Sequence, residues 1–83
     1  MQEMQVRRLK PGAMLLPGLA KIREDRNYSI RELAQIAGVS PNTVFLLEHL
    51  KGGAEQRTRR KLARALEVGV RDLLNPEWEA PRE

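Results

Sequence analysis

The chain has 83 residues, enough for one small domain and too few for a sizeable interior cavity that would hold a substrate. It has no cysteine, which excludes disulfides, thiolate nucleophiles and sulfur-ligated metals, and its single histidine, His49, cannot hold a metal alone. No apolar run approaches the ~18 residues that span a bilayer, so we expect a cytoplasmic protein without a membrane partner. The formal charge is +4, with cations concentrated at positions 7–10 and 57–64, which suits a polyanionic partner and equally suits solvated helix faces.

Glycine and proline divide the chain into short segments, and no alternating strand pattern is present. Positions 1–14 are polar and basic and are expected to form an N-terminal arm. Positions 15–75 are expected to form one helical domain, and positions 76–83 an acidic tail. The first helix of the domain is predicted to open at Pro17 and to close at Asn27-Tyr28.

The strongest local signal is a pair of helices joined by a very short link. Ser29-Ile-Arg-Glu32 has the spacing of a capping box, which predicts a helix over 30–37. Gly38 follows where a left-handed residue ends a helix. Ser40 is then placed as the N-cap of the next helix, with Pro41 at its first position. A link of about three residues between two helices is typical of a helix-turn-helix.

Three more helices complete the predicted domain. The helix after Ser40 extends over about 41–50, with Val44 and Leu47 facing the core and Leu46 facing away. A fourth helix over about 55–66 buries one apolar side. Its cations are expected to be largely solvated: Arg57, Arg59, Arg60, Lys61 and Arg64. A short fifth helix over 70–74 makes the fold class all-α with five helices.

These segments resemble the Cro/C1-type (XRE-like) helix-turn-helix family of phage repressors and bacterial regulators. The matching blocks are IRED, SIRELAQIAGVSPNTV, LLE, KLARALEV and VRDLL, in the family's order, over about two thirds of the chain. The resemblance implies a compact lambda-repressor-like domain that regulates transcription, binds double-stranded DNA as a homodimer and places its third helix in the major groove. It also implies a salt bridge between Arg23 and Glu48.

The resemblance further implies which residues contact DNA. The base-reading positions of the family fall on Pro41, Asn42, Thr43, Phe45 and Leu46, and all of these except Pro41 are predicted to contact bases. The phosphate-clamping positions fall on the start of the second helix and on the segment entering the fourth, and we add the cap residue Ser40. The predicted backbone contacts are therefore Ser29, Arg31, Ser40, Lys51, Arg57 and Thr58.

The chain also departs from the family pattern in its third helix. Phe45 and Leu46 are apolar where polar or basic residues are common, and Leu50 replaces a glycine, so Gly52 is expected to end the helix instead. These residues leave a second interpretation open, in which Phe45, Leu46 and Leu50 form an apolar patch that binds a protein partner.

The C-terminal segment and the question of catalysis complete the sequence-based expectations. Trp78 covers either the edge of the core or a subunit interface, and Leu73, Leu74, Pro76 and Trp78 are predicted to join two copies of the chain. A catalytic Ser-His-Asp or Cys-His set cannot be assembled, and no phosphate-binding loop motif is present. We therefore expect no enzyme, no cofactor and no small-molecule ligand.

Overall fold

The part of the chain that the structure describes folds into five short α-helices. The computed structural model describes residues 11–81, in which α1 is Leu19–Asp25, α2 is Ile30–Ala37, α3 is Pro41–Glu48, α4 is Gln56–Leu66 and α5 is Val70–Leu73. The only strand-like feature in this range is an isolated antiparallel bridge between Met14 and Ala54. The all-α fold with five helices is thus confirmed. None of the five helices has the length and apolar character that crossing a membrane requires.

The predicted helix-turn-helix signals are all realised. The Ser29 hydroxyl accepts a hydrogen bond from the Glu32 amide at 3.0 Å, and the Glu32 carboxylate accepts from the Ser29 amide at 2.8 Å. Gly38 has φ +78°, which ends α2 in a left-handed turn. Ser40 caps α3 by accepting from the Thr43 amide at 3.1 Å. The link between α2 and α3 is therefore the short one that the sequence predicted.

The first helix begins two residues later than predicted, at Leu19, with Gly18 as its N-cap, so Pro17 lies outside it. The Gly18 amide donates to the Leu73 carbonyl at 2.8 Å, which joins the start of α1 to the end of α5. A Cβ on Gly18 would lie 2.5 Å from the Asp72 carbonyl oxygen and 2.6 Å from that of Asn75. The close approach of α5 therefore requires glycine at this position.

The third helix also ends earlier than predicted, and Leu50 rather than Gly52 turns the chain. Leu50 has φ +54°, and the Lys51 amide donates to the Leu46 carbonyl at 2.9 Å across the turn. This is the hydrogen-bond pattern of a Schellman motif, in which glycine is the common residue. A leucine costs about 1–2 kcal/mol in the left-handed conformation. The expectation that Gly52 replaces the missing glycine is therefore wrong.

One core joins all five helices. Its fully buried side chains come from the segment before α1 and from each helix: Leu16, Leu19, Ile22, Leu33, Val44, Leu62, Leu66 and Leu73. Val39 in the α2–α3 link packs against this core. α2 lies at its centre, in contact with both α3 and α4.

Two of the four residues predicted to join two copies are part of this core. Leu73 has no exposed surface and Trp78 is 7% exposed, while Leu74 is half-buried and packs against the core. The Trp78 amide donates to the Asn75 carbonyl at 3.2 Å, so the chain turns back onto the domain after α5. The prediction that this group forms a subunit interface is therefore wrong for Leu73 and Trp78. Trp78 takes the other predicted role and covers the edge of the core.

A partly buried ion pair joins α1 to the end of α3. The Arg23 guanidinium donates to both carboxylate oxygens of Glu48, at 3.0 Å from Nη2 to Oε1 and through Nε to Oε2. Its Nη1 also donates to the Tyr28 carbonyl at 2.8 Å. Only 14% of the Arg23 side chain and 5% of the Glu48 side chain are exposed. Hydrogen bonding to Glu48 raises the pKa of the Arg23 guanidinium above its usual value. The structure thus confirms the pairing that the resemblance implied.

We predict that Glu48→Ala destabilises the domain strongly, because it leaves the partly buried Arg23 charge without its bidentate partner. The expected loss in the free energy of unfolding is about 3–5 kcal/mol. Urea denaturation followed by circular dichroism measures it. Asp25→Ala is the matched control, because Asp25 pairs with Arg26 at 3.2 Å on the surface and is expected to contribute less than about 1 kcal/mol. Glu48→Gln keeps an acceptor for Arg23 and should lose less than Glu48→Ala. Equal losses for Glu48→Ala and Asp25→Ala would contradict a structural role for the pair.

Candidate nucleic-acid interface

One side of α3 is open to solvent, and it carries four side chains. At about 100° per residue, Asn42, Phe45, Leu46 and His49 fall within one arc of the helix, opposite Val44 and Leu47. All four are exposed, Phe45 by 45% and Leu46 by 38%. We call these four residues the open face of α3. The prediction that Leu46 faces away from the core is confirmed.

Asn42 is a polar side chain of this face that is uncommitted, meaning that it has no hydrogen-bond partner within the described residues. Among residues 11–81 its side chain makes no hydrogen bond, so its amide keeps both a donor and an acceptor for a ligand. Thr43 is placed differently. It is half-buried at the margin of the open face, and its hydroxyl lies 2.9 Å from the Ser40 hydroxyl within the helix cap. Of the two predicted polar readers, Asn42 is therefore the more available.

Phe45 is partly covered by His49, which sequence reasoning did not include in the site. Their ring centroids are 4.1 Å apart with the planes tilted by 33°. His49 Nδ1 lies 2.8 Å from the Phe45 carbonyl oxygen, and because that oxygen can only accept, Nδ1 donates. The bond leaves the Nε2 atom free for another partner. The available signal was the i, i+4 spacing of the two rings and the i, i+7 spacing from Asn42.

The predicted backbone-contact residues all lie at or near helix N-termini or just after a helix end. Ser29 and Ser40 are the N-caps of α2 and α3, and each hydroxyl already accepts from its own helix. Arg31 is exposed in the first turn of α2, and Lys51 is exposed after α3. Two of the predicted residues lie in the first turn of α4, where Arg57 is exposed and Thr58 is half-buried. Helix N-termini carry free amide groups and a partial positive charge, both of which favour anions.

Arg59 differs from the other cations of α4 and corrects the expectation that it is largely solvated. Its Nη1 donates to the carbonyl oxygens of Gly12 and Ala54, both at 2.7 Å. Ala54 is also paired with Met14 through backbone hydrogen bonds of 2.8 and 3.0 Å. Arg59 therefore fastens the segment before α1 to the loop before α4. This contact spans 47 residues of sequence, so local patterns could not reveal it.

Comparison with known proteins gives one family. A family model described as helix-turn-helix matches residues 19–73. The matched region begins at the first residue of α1 and ends at the last residue of α5. No curated protein sequence matches the chain. The match covers more than half of the chain and coincides with the five helices, so the chain belongs to the Cro/C1-type, lambda-repressor-like helix-turn-helix family of DNA-binding regulators.

Proposed function

We propose that the protein is a sequence-specific transcriptional regulator that inserts α3, the helix starting at the Ser40 cap, into the major groove of double-stranded DNA. The observation that carries this proposal is the open face of α3 with an uncommitted Asn42. The opposite side of the same helix is held in the core by Val44 and Leu47, and its end is held by the Arg23–Glu48 pair. A fixed helix with one free face is what reading base edges requires.

The side chains of the open face favour A·T base pairs. An asparagine amide can form two hydrogen bonds with adenine N6 and N7 in the major groove. Leu46 and the uncovered part of Phe45 offer apolar contacts to the thymine methyl group. Thr43 can add a contact only at the margin, since its hydroxyl is shared with Ser40. We infer a short A·T preference at the centre of each half-site.

Phosphate contacts would position α3 without reading sequence. We assign them to residues at or near helix N-termini and to Lys51 after the end of α3: Ser29, Arg31, Ser40, Lys51, Arg57 and Thr58. By analogy with the family we also propose that the protein binds DNA as a homodimer. Sedimentation experiments should then find two chains bound to each duplex. The same analogy favours a cytoplasmic regulator without catalytic activity or cofactor.

We predict that Asn42→Ala weakens binding to the preferred duplex by about 1–3 kcal/mol, because the bidentate contact with adenine is lost. Binding to unrelated DNA should stay almost unchanged, because the phosphate contacts survive. Competition binding against preferred and random duplexes measures both. Gln35→Ala is the control, since Gln35 is an exposed amide on α2 that is assigned no contact. Equal losses on the two duplexes would mean that Asn42 does not read bases.

We predict that Arg57→Ala weakens binding to all sequences about equally, because one phosphate contact is lost. The plot of log K against log salt should become less steep by about 0.9, the value for one phosphate contact. Titration of wild type and variant with salt measures the slope. Arg71→Ala, on the exposed side of α5, should leave it unchanged. A changed sequence preference with an unaltered slope would instead make Arg57 a base reader.

A protein partner is the second candidate function, and the exposure of three large apolar side chains favours it. Phe45, Leu46 and Leu50 are 45%, 38% and 47% exposed at the C-terminal half of α3 and the turn after it. Association through such a patch would not weaken steeply with salt, whereas phosphate-driven DNA binding does. The salt titration therefore separates the two functions.

A further inference from the structure

The outer side of α4 is a continuous row of cations. Arg57, Arg60, Lys61 and Arg64 follow the i, i+3, i+4, i+7 spacing that puts side chains on one helix face. All four are exposed, and they line a single shallow concavity together with Gln56. The face opposite to them is the one that buries Leu62 and Leu66. We call these four residues the basic stripe.

In the described part of the chain, no carboxylate forms an ion pair with the basic stripe. Within residues 11–81 every ion pair involves Arg23 or Arg26, so none of the four cations has a carboxylate partner there. The eleven residues of α4 contain no acidic side chain at all. The fifth cation of the helix, Arg59, points elsewhere and is bound to backbone carbonyls.

This arrangement is unfavourable for an isolated helix. Like charges at i, i+3 and i, i+4 repel each other, and the stripe contains four such pairs. Arg57 in the first turn also opposes the positive end of the helix dipole. By contrast, the cations of α1 and the turn after it have acidic neighbours, as in the Arg26–Asp25 pair at 3.2 Å. A bound polyanion would remove the repulsion along α4.

We propose that the basic stripe binds the phosphate backbone of DNA beyond the first turn of α4, so that Arg60, Lys61 and Arg64 extend the contact that begins at Arg57. Seven residues of helix rise about 10 Å. One strand of B-DNA presents about three phosphates over the same axial length. The charge density of the stripe therefore matches that of one DNA strand. The stripe is also continuous with the phosphate-contact set through Arg57. This inference rests on the proposed function.

The double variant Arg60→Gln/Arg64→Gln tests the proposal and keeps Arg57 in place. Glutamine is a good helix former, and both positions are exposed, so the fold should be retained, as thermal denaturation can check. We expect the plot of log K against log salt to become less steep by about 1.8, for two lost phosphate contacts, on preferred and random duplexes alike. If the proteins bind equally at 1 M salt, this corresponds to a loss of roughly 30-fold in affinity at 0.15 M.

The control is Lys21→Gln/Arg71→Gln, which removes the same net charge from exposed positions on α1 and α5. Its slope should change by less than about 0.5, because no phosphate contact is lost. An unchanged slope for the stripe variant would overturn the proposal, and so would an equal loss in both double variants. If the wild-type protein binds no duplex at all, the proposed function fails and the stripe proposal with it. If the wild-type protein binds DNA and the stripe variant has the same salt dependence as wild type, the stripe proposal alone fails.

Discussion

A partly buried ion pair and the core contacts of α3 together set the orientation of this helix. The guanidinium of Arg23 holds Glu48 at the end of α3 and the Tyr28 carbonyl in the link between α1 and α2. Its five donors and planar shape suit this double role, which a lysine could not fill. Because little of either side chain is exposed to water, removing one partner would leave the other charge poorly solvated and would destabilise the domain. The core contacts of Val44 and Leu47 then fix the rotation of α3, and the open face, with Asn42 on it, points outward as a consequence.

Some arginines of this chain are bound to acceptors within the fold, and others are exposed on the surface. Composition alone does not distinguish the two groups. Arg23 and Arg59 are bound to acceptors within the fold, and Arg26 donates to the Leu66 carbonyl at 3.0 Å. The exposed cations concentrate instead on α4 and at the starts of helices. The net charge of +4 therefore understates how basic one side of the molecule is. This segregation, rather than the total charge, supports a phosphate-binding surface.

Much of the fold could be predicted from local sequence, because caps and helical periodicity act over a few residues. The capping box at Ser29, the left-handed Gly38 and the Ser40 cap predicted the helix-turn-helix. For Trp78 the sequence left two roles open, and only the packing of the chain after α5 onto the domain decides between them. The anchoring of Arg59 and the need for Gly18 could not be predicted, since each depends on packing between distant segments. In the site, the spacing predicted that Leu46 faces outward. The contact of His49 with Phe45 was missed because the histidine was considered only as a metal ligand.

The central claim is that the open face of α3 reads DNA sequence. Selection from a pool of random duplexes, carried out in parallel with the wild-type protein and Leu46→Gln, tests it most directly. We expect the wild-type protein to enrich two half-sites with centres about 34 Å apart, one turn of the duplex. Leu46→Gln should fold normally, because position 46 lies outside the core, and should enrich a different base at the affected position, because glutamine can pair with adenine where leucine contacts only a methyl group. No enrichment by the wild-type protein, or the same sequence from both proteins, would contradict reading by this face.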